Sequence, residues 1–142
     1  MKPKQSGATI IEFMLVLLLF LMFTLGLMDF ARLLFTWNAA NEATRAGARY
    51  AVVCDPTGGQ AAVLAKMQAL LPQINTISVA WTPTSCDPTT CIGVTVSITN
   101  LNFQWLAPMP GSLTKVIPMT GFSTFLTREV MRQDPNSPAI CS

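Results

Sequence analysis

Five side chains in this 142-residue sequence could carry chemistry: the carboxylate of Glu12 and the thiols of Cys54, Cys86, Cys91 and Cys141. Glu12 lies about one turn into an apolar run, where an ionised carboxylate costs energy unless it is paired or close to the headgroups. The four thiols all follow that run, and an even count on one side of a membrane suggests disulfides in an oxidising compartment. Histidine is absent, which removes the commonest metal ligand and general base. A zinc half-site at Cys86 and Cys91 is a weak alternative, because no histidine exists and the other two cysteines are isolated. The reading is no metal and no cofactor.

The apolar run must position Glu12. From Phe13 to Met28 no residue is charged, and with Ala8 to Glu12 the stretch of 21 residues spans ~31 Å as a helix, enough to cross a bilayer core. Lys2 and Lys4 precede it and Asp29 follows it. The excess of positive charge places the N-terminus in the cytoplasm and the rest outside. A cleaved secretory signal fits poorly, since the run continues into TLGLMDFARLLF without a small-x-small site. A plain anchor with Glu12 at headgroup level is the simple reading. Cleavage before the apolar run is the other.

That second route turns on Gly7, five residues before Glu12 in KQSGATIIEF. The string resembles the prepilin cleavage site of the Flp/Tad branch of type IV pilins, G-x-x-x-x-E-[YF]. The resemblance implies that a prepilin peptidase cuts between Gly7 and Ala8, leaving Glu12 and Phe13 as mature residues five and six. It also implies an assembly role for Glu12, whose carboxylate can neutralise the new α-amino charge of a neighbouring copy and so set register. Behind it, FARLLFTWNAANEATRAGARYAVV stays helical in character. Leu33, Leu34, Trp37, Ala40, Asn41, Thr44, Gly47, Ala48 and Ala51 recur at three- and four-residue steps, which predicts one helix from about Ala8 to Val53. Trp37, Gly47 and Tyr50 read as packing residues, with Gly47 admitting a strand, Tyr50 covering it, and Arg45 and Arg49 facing solvent.

Gly7 with Glu12 and Phe13, Asp29–Phe30 with Arg32, and Gly47-Ala48-Arg49-Tyr50-Ala51 together resemble the TadE-like pseudopilins, minor pilins of the Tad (type IVc) system. Members of that family often carry a proline a few residues after the glutamate. Leu18 stands there in this chain, which implies a less kinked helix.

Beyond Cys54 the breakers Asp55-Pro56-Thr57-Gly58-Gly59 end the long helix. Gln60 to Leu71 reads as a short amphipathic helix stopped at Pro72. Ile74–Thr82 and Ile92–Thr99 are β-branched alternating runs around a turn-rich segment. Phe103–Leu106 continues the second or starts another, Pro108, Pro110 and Gly111 mark a loop, and Phe122–Met131 reads as a last strand. The expected fold is α+β and pilin-like: a long N-terminal helix, membrane-spanning in its first half, packed by its outer half against a short helix and a small antiparallel sheet. The segments are a leader at 1–7, a span at 8–28, its continuation at 29–53, and a disulfide-stabilised domain at 54–142. Four cysteines allow three pairings. Spacing favours Cys86 with Cys91 across the turn and then Cys54 with Cys141.

Net charge is +2 with scattered basic residues, which argues against a nucleic-acid partner. Three functions are weighed. The first is a pilin-like structural subunit of the bacterial inner membrane, its C-terminal domain periplasmic, extracellular once assembled into a pilus for adhesion or secretion. The resemblance implies other pilins, a prepilin peptidase, the inner-membrane assembly platform and membrane lipid as partners. The second is a single-span, membrane-anchored binding or sensor protein. The third, an anchored enzyme, fits worst, since the outer region lacks histidine and any recognisable nucleophile–base pair.

Overall fold

The computed structural model describes residues 7–54, 59–87, 90–107, 116–128 and 141. Its first element is a single helix, α1 (Ala8–Cys54), of 47 residues and about 70 Å. Proline is absent from it, and three of its four threonines return their hydroxyls to the helix backbone: Thr24 to Phe20, Thr36 to Arg32 and Thr44 to Asn41. The polar β-branched residues are thereby satisfied without interrupting the ladder.

The two halves of α1 differ in what covers them. Up to Met28 the apolar side chains are bare. From Asp29 onward one stripe is buried, made of Asp29, Thr36, Ala40, Ala43, Thr44, Gly47, Ala48, Ala51 and Cys54. Small side chains dominate it, so other elements approach the helix backbone closely. Leu34 and Trp37, expected in the stripe, remain about half exposed, and Asp29, Thr36 and Ala43 are buried instead.

α2 (Gly59–Leu70) lies across this stripe through Val63 and Met67. A β-carbon on Gly47 would sit 2.7 Å from Met67 Sδ and 3.3 Å from Val63 Cγ1. The sequence expectation that Gly47 admits a strand is therefore corrected: it admits a helix. Tyr50, expected to cover that strand, carries the Lys66 ammonium of α2 at 5.4 Å from its ring centre. The Gln60 side-chain amide donates to the Ile77 carbonyl, tying the start of α2 to the sheet.

Five strands follow: β1 (Ile77–Thr82), β2 (Gly93–Ile98), β3 (Leu101–Gln104), β4 (Val116–Met119) and β5 (Ser123–Thr127). β1, β2 and β5 form one antiparallel sheet with β2 central, and β3 and β4 form a second antiparallel pair. The two ladders continue one register. Ser97 faces Ser123, the Ile98 N–H donates to the Phe122 carbonyl, and Leu101 faces Met119. The sheets are thus two lengths of one antiparallel ribbon, bent where Gly121 adopts φ 93°, a conformation that favours glycine.

β4 escapes a reading of the sequence because Pro118 sits inside it. Proline cannot donate to a ladder and is tolerated only at an edge, where β4 lies. The last strand ends at Thr127 rather than Met131, and 129–131 fall outside the described residues. So does the loop expected at Pro108, Pro110 and Gly111.

The core lies between α1, α2 and the ribbon, around Met67, Ile74, Val94, Val96, Leu101 and Phe122. Disulfides join Cys86 to Cys91 within the β1–β2 connection and Cys54 to Cys141 at the far end of α1. Opening the second releases a closure spanning 87 residues, a loss of about 4.6 kcal/mol in the chain-entropy account. Non-reducing peptide mapping should recover these two links and no mixed one, and Cys54→Ser should lower the denaturation midpoint far more than Cys86→Ser. Gly47→Val should destabilise by about 1–3 kcal/mol through overpacking. Much of that loss should disappear in a Met67→Ala background, where the colliding side chain is gone.

Candidate functional site: the bare helix and its junction with the head

Gly7 is an exposed turn residue whose carbonyl accepts the Ile11 N–H, so the helix ladder begins at the expected cleavage position. Ala8, Glu12 and Phe13 are exposed on the first turns. Glu12 is exposed on the helix surface, and the ion pairs among the described residues, Asp29–Arg32 and Glu42–Arg45, do not involve it. α1 is long and apolar enough to cross a membrane once, and none of its apolar stretch is buried against the rest of the chain. No group of three or more potential metal ligands occurs among the described residues.

Sequence reasoning treats Asp29 only as a charge that marks the end of the span and as part of a family motif. The structure gives it a more specific place. Its side chain is 2% exposed. Oδ2 accepts the Leu106 N–H at 2.9 Å and the Ala107 N–H at 2.6 Å, while Oδ1 accepts from the Arg32 guanidinium at 2.9 Å. Both carboxylate oxygens are therefore used. The two backbone donors lie just past the end of β3, 77 and 78 residues away in the chain.

Arg32 then lies 5.4 Å from the Phe103 ring centre, and Phe103 meets Trp105 edge-on at 5.9 Å. One turn further, Trp37 meets Phe122 edge-on at 4.8 Å, and the Thr44 and Thr124 hydroxyls share a hydrogen bond of 2.9 Å. The ribbon therefore runs down the outer half of α1, and its β3 end is clamped where the bare half begins. The signal available in the sequence was an aspartate directly after an apolar run with an arginine three residues on.

Burial disfavours the charged form of Asp29, but the N–H groups of Ala107 and Leu106 and the Arg32 guanidinium outweigh it and hold the carboxyl below its ordinary value. A carboxyl lowered by folding stabilises fully above its unfolded value, about 3.9, and progressively less as pH falls through the lowered folded value.

A bare apolar helix, long enough to cross a membrane once, thus carries a small disulfide-linked α+β head on its outer half, an arrangement consistent with a pilin. The model of the TadE-like protein family matches residues 7–49, less than a third of the chain, so this segment is similar to that family. The match ends inside α1 and leaves the head outside it. No curated protein and no solved structure matches the chain.

Asp29→Ala leaves the buried Ala107 N–H and the part-buried Leu106 N–H without this acceptor, and should lower the thermal midpoint in detergent by on the order of 5–10 °C. In the parent chain, the protection of the Leu106 and Ala107 amides, measured relative to the intrinsic exchange rate at each pH, should fall as pH drops below about 4, whereas Asp29→Asn should show no such step.

Proposed function

We propose that this chain is a minor pilin associated with the Tad pilus, a structural subunit and not an enzyme. The observation that carries this reading is the family match over residues 7–49, which includes Gly7, Glu12, Phe13 and the Asp29–Arg32 pair. The fold is consistent with it. A helix with one bare apolar half needs an apolar environment, and both a bilayer and a bundle of like helices supply one.

In this reading residues 1–7 are a leader facing the cytoplasm, 8–28 span the inner membrane, and 29–53 carry the 54–142 head on the periplasmic side. A prepilin peptidase removes the leader between Gly7 and Ala8. The new α-amino group would add a positive charge to an otherwise apolar helix end. Glu12, exposed and one turn along, offers the matching negative charge to a neighbouring copy or another pilin. In a low-dielectric core such a pair resists separation and permits one axial offset, so it sets register. The assembly platform in the inner membrane and the other pilins are the partners this requires.

Glu12→Gln removes the charge while keeping nearly the same shape. The variant should remain in the membrane fraction at parental levels, yet be depleted at least about tenfold from sheared pilus preparations, the effect of losing roughly 1.4 kcal/mol in each contact. Parental levels of the variant in those preparations would contradict the register contact and with it the assembly reading.

A further inference from the structure

We propose that the β3 end of the ribbon is a foot seated on the lipid surface, so that the head rests on the membrane at a second point beside its helix. The proposal rests on reading α1 as a membrane span. Its strand-side residues, Gln104, Leu106, Ala107 and Val116, lie outside the segment that the family match covers.

The argument is one of level. Asp29 is the first residue beyond the uncharged run that ends at Met28. The backbone of Leu106 and Ala107 is hydrogen-bonded to the Asp29 carboxylate. The end of β3 is therefore held at the height where the helix leaves the hydrocarbon. At that height the side chains are apolar and uncovered: Leu106 is 69% exposed, Phe30 53% and Val116 46%. Val116 belongs there because it pairs with Gln104 at the same end of the ribbon.

About one turn higher the surface changes character. Arg32, Asn100 and Asn102 border an open cleft of about 390 Å³. Three residues of helix rise raise Arg32 about 4.5 Å above Asp29. The headgroup layer on each face of a bilayer is on the order of 5–8 Å thick. The molecule thus presents apolar side chains at the hydrocarbon edge and a guanidinium with carboxamides at the level of the phosphates and glycerol esters. This apolar-to-polar order matches the bilayer's own gradient, as interfacial anchors do. A second copy of the chain is the weaker occupant. Asp29 holds the patch beside a span already surrounded by lipid, so lipid meets it without any association step.

A seated foot would fix the tilt of the head before assembly, and it would have to lift off the bilayer when the helix leaves. The full chain in nanodiscs of phosphatidylcholine and phosphatidylglycerol, with labelled Leu and Val methyls, tests this. A lipid bearing a nitroxide high on its acyl chain should attenuate the Leu106 and Val116 methyls several-fold more than those of Val94 or Val96 in the core. Leu106→Asp should return Val116 towards the core level while the core methyl shifts stay unchanged. If Leu21 in the span is attenuated but Leu106 is not, the helix is inserted and the foot is not seated, which overturns the proposal. If neither is attenuated, the span reading itself fails. Contacts from Leu106 to a differently labelled copy, with no lipid effect, would assign the patch to self-association and also overturn it.

Discussion

Everything above the bare half of the helix depends on one carboxylate. Asp29 is buried, both of its oxygens are used, and its two backbone donors lie just past a strand end, 77 and 78 residues further along the chain. A buried carboxylate is costly unless its hydrogen-bonding capacity is met, and here it is met by two N–H groups and a guanidinium. Removing it would strand those same N–H groups, which lie past Gln104, where the β3–β4 ladder ends among the described residues. The contact is therefore both an anchor for the ribbon and the cap of its end.

From this point the head is attached to the helix by contacts of changing kind. Arg32 meets Phe103, Trp37 meets Phe122, Thr44 bonds Thr124, Gly47 admits Met67, and Cys54 is joined covalently to Cys141. An ionic clamp closes the end near the membrane and a disulfide closes the far end. Between them the helix offers alanine, threonine and glycine, which bury little apolar area each but allow close approach. The head is thus held along the outer half of α1 and leaves the apolar half uncovered. That separation suits a subunit whose helix exchanges lipid for other helices while its head stays folded.

What the sequence discloses divides by distance along the chain. The extent of α1, the short helix α2, and strands β1 and β2 follow from period and breakers within a few residues. The turn-bracketing spacing of Cys86 and Cys91 is equally local. Asp29 looks from the sequence like a boundary charge, because nothing nearby indicates that residues 106 and 107 will return to it. Gly47 signals close packing, but a glycine does not specify its partner, and α2 takes the place assigned to a strand. β4 is hidden by Pro118, whose edge position becomes intelligible only once β3 lies beside it. Glu12 differs again: the structure of a single chain places it on a bare surface, and its meaning comes from the spacing to Gly7 and from the family pattern.

The central claim is that the apolar helix begins, in the working protein, at Ala8 with a free or modified α-amino group opposite a neighbour's Glu12. Intact-mass and N-terminal peptide analysis of the chain purified from cells with and without a prepilin peptidase tests this most directly. The account predicts an N-terminus at Ala8 when the peptidase is present and the uncleaved leader when it is absent. A chain that keeps residues 1–7 in both cells would contradict it, and would leave α1 as a permanent anchor.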